Sequence, residues 1–177
     1  MPERKKHIYL LIGPIGSGKS FIGSIIHTYF NIPYIRVEDL ILEMPKERIL
    51  EDPEYISDVF RTIEQKIRQS LIELDQLVFQ STGLTDDFDR MFISLQSDYQ
   101  VTTIKINCDP ETCLERVHSR DPSNHFSFSD EIVEQINKAV IQKDFPPDYS
   151  IENIGKSSDK LKEEIRVILY HTTNTIP

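Results

Sequence analysis

Gly13-Pro14-Ile15-Gly16-Ser17-Gly18-Lys19-Ser20 is the stretch on which the fold turns. Two glycines with four residues between them, followed by Lys and Ser, let a backbone wrap around a polyphosphate with its N–H groups turned inward. The flanks suit that use. Before the stretch, His7 to Gly13 is an apolar run rich in β-formers, fit for a strand buried on both faces of a parallel sheet. After it, Phe21, Ile22, Ile25, Ile26, Tyr29 and Phe30 recur at helical spacing. The order is strand, glycine turn, helix, and the positive end of the helix adds its own attraction for phosphate. Gly13, Ile15, Gly16, Ser17, Gly18, Lys19 and Ser20 are then the nucleotide-binding residues. Lys19, expected to be exposed at the loop mouth, reaches the terminal phosphates, and Ser20 ligates Mg²⁺. The rival reading is a glycine-rich turn that happens to carry Lys-Ser.

Working outward, strand and helix signals keep alternating. Pro33 to Val37 reads as a short second strand. Asp52-Pro53 supplies a capping side chain and a proline at the first helical position, and Ile56, Val59, Phe60, Ile63, Ile67, Leu71 and Leu74 trace one face of a long helix. Leu77 to Phe79 is a third strand, and Thr85 caps a helix bearing Phe88, Met91, Phe92 and Leu95. Val101 to Asn107 is a fourth, followed by Asp109-Pro110 and a helix running to about Arg120. A polar loop, Asp121 to Ser127, precedes a helix with Ile132, Val133, Ile136, Ala139 and Val140 on one side. Tyr149 to Asn153 is a fifth strand, and Ser158 is placed to cap a last helix. Five strands separated by helices predict an α/β three-layer domain, a five-stranded parallel sheet covered by helices on both faces.

Composition narrows the partners. The 177 residues carry 29 acidic and 20 basic side chains, a net charge of −9, which argues against a duplex nucleic-acid surface. Cys108 and Cys113 have no second His/Cys cluster to complete a zinc site and read as reduced thiols. The apolar run Ile8 to Ile12 is too short for a secretory signal core, and no apolar stretch reaches membrane-spanning length. The expected location is cytoplasmic, with no membrane partner.

A phosphate loop alone does not select a reaction. The third strand ends Val78-Phe79-Gln80-Ser81, without the strand-end carboxylate of a hydrolysing ATPase, and no Asn-Lys-x-Asp sequence is present for guanine. Arg116 and Arg120 stand at i and i+4 near a helix end, so both should point the same way. They suit charge stabilisation during phosphoryl transfer, beside a loop long enough to fold over a nucleotide; they equally suit a solvated helix end favoured by the dipole. Asp39, at the carboxyl end of the second strand, suits an acceptor hydroxyl or a cap on the helix Leu40 to Leu42. Arg36 and Arg90 suit contact with an anionic acceptor or simple solvation.

On these residues the chain resembles the P-loop small-molecule kinases, the group containing nucleoside monophosphate, shikimate and gluconate kinases and polynucleotide kinase. Gly13 to Ser20 carries most of the likeness. Val37-Glu38-Asp39-Leu40 is similar to the turn after the second strand of nucleotide kinases, and Ser81-Thr82-Gly83-Leu84 with Arg90 also matches. Glu115-Arg116-Val117-His118-Ser119-Arg120 is similar to their lid-opening Arg-x-x-x-Arg, and Asp148 to Asn153 to the last strand of many members. The resemblance implies the P-loop NTPase fold as one kinase domain over 1–177, ATP with Mg²⁺ as donor, an acceptor-binding helical region over about 38–75 and a lid over about 116–130. It implies an ATP-dependent phosphotransferase moving the γ-phosphate to a small-molecule acceptor such as a nucleotide or hydroxylated metabolite. Lys19, Asp39, Arg116 and Arg120 are then the candidates for catalysis, and Arg36, Asp39 and Arg90 for acceptor binding. The alternatives are a nucleotide-binding regulatory protein without productive transfer and a kinase for polynucleotide 5′-hydroxyls. The chain departs from nucleotide kinases at Glu38, where they have glycine, at Leu42, where they place a phosphate-binding arginine, and in lacking their Asp-Gly-x-Pro-Arg sequence.

Overall fold

The computed structural model describes residues 5–44, 52–121, 123 and 128–174. Along them run β1 (His7–Ile12), α1 (Lys19–Phe30), β2 (Tyr34–Ile35), α2 (Val37–Leu42), α3 (Pro53–Glu73), β3 (Gln76–Ser81), α4 (Asp86–Asp98), β4 (Gln100–Asn107), α5 (Pro110–His118), α6 (Asp130–Gln142), β5 (Tyr149–Glu152) and α7 (Ser158–Asn174). The five strands form one parallel sheet in the order β2-β3-β1-β4-β5.

β1 is the centre of the sheet and of the core. Alternate side chains of a strand face opposite ways, so Tyr9 and Leu11 pack with Ile22 and Ile26 of α1 and Ile165 of α7, while Ile8 and Leu10 pack with Ile63 and Ile67 of α3 and Phe88 of α4. These are the two covered faces of an α/β three-layer domain. α3 contributes Tyr55, Val59, Ile63, Ile67 and Leu71, all buried and four residues apart, and burial of such side chains is worth about 1.5–3 kcal/mol each.

Local signals set most boundaries. Asp52, Thr85, Asp109 and Ser129 each cap a helix by accepting from a backbone N–H. The last cap lies one residue earlier than expected: the Ser157 hydroxyl accepts from the Lys160 N–H at 3.3 Å, and Ser158 opens α7. The second strand shrinks to Tyr34–Ile35, because Pro33 contributes only its carbonyl, to the Val78 N–H at 2.8 Å, and Val37 already opens α2. Phe21 and Tyr29, expected on the inner face of α1, are 51% and 58% exposed; the Lys162 ammonium sits 3.9 Å from the centre of the Tyr29 ring.

The topology decides where a site can form. From β1 the chain runs to the edge strand β2 and returns to β3 beside β1, then crosses to β4 and β5 on the other side. The loop after β1 therefore opens where the direction of winding changes, the place at which open parallel sheets bind ligands. Gly13–Gly18, the start of α2, the segment after β3 and the end of α5 gather at that edge. Among the described residues, no helix is long and apolar enough to cross a membrane.

Candidate active site

The loop between β1 and α1 has the curvature that the glycine spacing predicts. Gly16 and Gly18 hold φ near +89° and +93°, a backbone that side chains resist, and both are pressed against their surroundings. A Cβ on Gly16 would fall 2.2 Å from the Cys113 carbonyl oxygen, and one on Gly18 2.2 Å from Asn153 Nδ2. The loop is braced from outside as well. Asn153, after β5, donates to the Ser17 carbonyl at 2.8 Å. Arg116 of α5 donates to the Ser17 carbonyl at 3.3 Å and to the Asn153 carbonyl at 2.8 Å. From α6, Asn137 accepts from the Ile15 N–H at 2.7 Å and donates to the Ile15 carbonyl at 2.9 Å.

Lys19 corrects one expectation: it is not exposed at the loop mouth but 8% accessible, its ammonium donating to the Gly13 and Pro14 carbonyls at 2.8 Å each. Those two oxygens satisfy an ammonium that the loop has folded over. Burial pulls its pKa from the ordinary 10.5 down to about 8, partly opposed by the carboxylate of Glu38.

Next to it, three side chains form a hydrogen-bonded chain. Ser20 Oγ donates to Gln80 Oε1 at 3.1 Å, and Gln80 Nε2 donates to both carboxylate oxygens of Glu38 at 3.0 Å. Gln80 comes from the end of β3, where a hydrolysing ATPase carries a carboxylate; Glu38 reaches the same place from the first turn of α2. The buried Tyr34 hydroxyl, held beside Ser20, lies well above the ordinary phenol range because of its burial.

The arginine pair separates. α5 ends at His118, so Arg120 lies beyond the helix and the two side chains do not share a direction. Arg120 lines a cavity of about 370 Å³ together with Lys19, Ser20, Glu38 and Gln80, whereas Arg116 is spent on the loop backbone. Burial lowers the Arg120 pKa, and Glu38 opposes that too, so one carboxylate faces both cations. Asp39 sits inside the first turn of α2, which begins at Val37, and pairs with Arg36 at 3.7 Å; its side chain is 56% exposed. Arg90 pairs with Asp87 at the surface. Asp39, Arg36 and Arg90 do not line the cavity. The lid loop, Asp121 to Ser127, lies largely outside the described residues, which include only Asp121 and Ser123 of it.

Glu38, Gln80 and Asn137 were not singled out for the site from sequence. Glu38 is the sequence neighbour of Asp39, and Gln80 occupies the end of β3 itself. Asn137 gives no local signal, since its partner is 122 residues away. Cys108 and Cys113 are free thiols behind the loop; burial, with Cys108 alongside, pushes the Cys113 pKa up to about 12. Among the described residues there is no cluster of three or more His, Cys, Asp or Glu that could hold a metal without a ligand's help.

This sheet order with this loop is the P-loop small-molecule kinase fold. The Mycobacterium tuberculosis APS kinase CysC, solved with AMPPNP and APS, superposes with a TM-score of 0.68 at 13% identity, covering 95% of this chain and 99% of its own. Shikimate kinase from Acinetobacter baumannii, solved with shikimate, gives 0.69 at 15% identity over 97% and 96%. A chain of the Pnkp1/Rnl/Hen1 RNA repair complex gives 0.65 at 17% identity, over 88% of this chain and 51% of its own. No family model matches the chain, and no curated protein is significantly similar to it in sequence.

Proposed function

We propose that the protein is an ATP-dependent phosphotransferase that moves the γ-phosphate to a hydroxyl of a small molecule. The observation that carries this reading is the convergence of Lys19, Ser20, Gln80, Glu38 and Arg120 on a cavity at the glycine loop. Amides of the loop and the start of α1 hold the phosphates, and Lys19 leaves the Gly13 and Pro14 carbonyls to meet them. Ser20 would hold Mg²⁺ beside the triphosphate; such an ion neutralises charge on the phosphate oxygens. Arg120 stabilises charge that develops on the migrating group. Glu38, facing the cavity where Asp39 does not, orients the acceptor hydroxyl and takes its proton. Residues 38–75 supply the acceptor wall and 116–130 the segment over the nucleotide. The fold resembles enzymes solved with AMPPNP, APS and shikimate, which supports a nucleotide donor and a small acceptor.

The test is acceptor-dependent release of ADP from MgATP, with the phosphorylated product identified by ³¹P NMR. Lys19→Ala should abolish it. ADP release that no metabolite, nucleoside or oligonucleotide stimulates would favour a nucleotide-binding regulator instead.

A further inference from the structure

The cavity is apolar over most of its wall. Val37 and Ile41 of α2, Ile56 and Phe60 of α3, Leu84 after β3, and Phe128 before α6 all present partly accessible apolar side chains to it. Val37, Ile41 and Phe60 also pack against the core cluster beneath, so the apolar wall is continuous with the core while remaining partly accessible. The polar groups gather in the Ser20–Gln80–Glu38 chain with Lys19 and Arg120. Three further hydroxyls, of Ser81, Thr82 and Thr85, lie on the wall; Ser81 Oγ accepts from the Gly83 N–H and Thr85 Oγ from the Phe88 N–H, and none of the three carries charge.

The charge count is equally restrictive. Among the described residues, Lys19 and Arg120 are the cations on the wall, and both are needed by the phosphates. Arg36 and Arg90, the residues suited to an anionic acceptor, are turned to Asp39 and Asp87 outside the cavity. Among the described residues of the wall, a carboxylate or phosphate on the acceptor would meet Glu38 with no further cation to balance it, and would have to be desolvated against aliphatic and aromatic carbon.

Resting on the phosphotransferase reading above, we infer that the acceptor is an uncharged alcohol with a substantial aliphatic or aromatic body. The body fills the apolar hollow, and the hydroxyl is delivered to Glu38 at the polar end. In the transfer the hydroxyl oxygen forms a bond to the γ-phosphorus, the bond from that phosphorus to the β,γ-bridging oxygen breaks, the hydroxyl proton passes to the Glu38 carboxylate, and ADP leaves. The volume, about 370 Å³, lies near the lower end of the roughly 300–1,000 Å³ of small-molecule pockets and includes the phosphate end at Lys19, Ser20 and Arg120, so the remainder suits a body of one ring or a short chain.

The experiment follows ADP release by the full chain with MgATP, confirmed by ³¹P NMR of the product, using probe alcohols. The series 1-butanol, 1-pentanol and 1-hexanol should gain about three- to fourfold in kcat/KM per methylene, the factor expected for burying one CH₂. Methyl 4-(hydroxymethyl)benzoate should exceed 4-(hydroxymethyl)benzoate, nearly the same shape but anionic, by at least tenfold. Ile41→Lys, which adds a cation to the wall, should narrow or reverse that preference. Turnover of shikimate, AMP or 4-(hydroxymethyl)benzoate in preference to the neutral probes, or rates independent of chain length, would overturn the substrate class and leave the phosphotransferase standing. If MgATP binds by calorimetry and neither class stimulates ADP release, phosphotransfer itself is overturned, and the inference with it.

Discussion

Lys19 should make nucleotide affinity fall between pH 7.5 and 9, an interval over which an exposed lysine would leave it flat. In the free protein its ammonium is buried on two carbonyl oxygens with a pKa near 8. A triphosphate in the loop restores the charged form, so the bound pKa is higher than the free one, and above about pH 8 binding must take up a proton. The protonated fraction of the free lysine falls from about three-quarters at pH 7.5 to about one-tenth at pH 9, so MgATP affinity should drop about eightfold over that interval. At pH 8.5 each binding event should absorb about three-quarters of a proton. ATP is fully ionised in this range and contributes little of its own. Titration calorimetry in two buffers of different ionisation enthalpy measures the uptake, and the affinity across pH measures the slope. Lys19→Met should lose both. Flat affinity between pH 7.5 and 9, with no proton uptake at pH 8.5, would mean that burial in the loop does not depress the lysine, and the account of the folded-over loop would fail.

Other substitutions divide the site by role. Gly16→Ala forces a Cβ to within 2.2 Å of the Cys113 carbonyl at a φ that alanine resists, and should lower unfolding free energy by about 2 kcal/mol or more, read by denaturant titration, and weaken ATP binding. Arg120→Ala should lower kcat by about 100-fold or more with little change in ATP affinity, and Arg120→Lys should rescue poorly, since an ammonium cannot bridge two phosphate oxygens. Arg116→Ala should instead cost about 1–3 kcal/mol of stability and weaken ATP binding, because it releases the Ser17 and Asn153 carbonyls. Glu38→Gln should depress kcat for a hydroxyl acceptor by about 100-fold, whereas Asp39→Asn, losing only an exposed pair worth about 0–1 kcal/mol, should leave steady-state rates near the parental values.

What the sequence made legible follows the range of the interaction concerned. β1, the glycine loop and α1 are contiguous, and the caps at Asp52, Thr85 and Asp109 act within three residues, so all of them could be seen in the string, whereas the Ser129 cap was not read from it. The carboxylate at the site could not be resolved so finely. α2 starts two residues after β2 ends, and neighbouring residues on a helix point about 100° apart, so a shift of one position exchanges Glu38 for Asp39 at the cavity. The arginine pair failed for a related reason: the i, i+4 rule holds only inside a helix, and α5 stops two residues before Arg120. Asn137 depends on a tertiary contact with Ile15, and the pairing of β1 with both β3 and β4 is likewise invisible to any local pattern.

Arg116 and Asn137 belong to the helices on either side of the connection from α5 to α6, and each is fastened to the glycine loop within residues 15–17. The two ends of that connection are therefore moored to one rigid point, independently of how much chain lies between them. Closing a loop between fixed ends grows only with the logarithm of its length, about 0.6 kcal/mol per doubling. Extra residues inserted between His118 and Asp130 would thus be absorbed at small thermodynamic expense and without shifting the phosphate cradle. Such insertions give this architecture a way to lengthen the α5–α6 connection while the glycine loop beneath stays as it is.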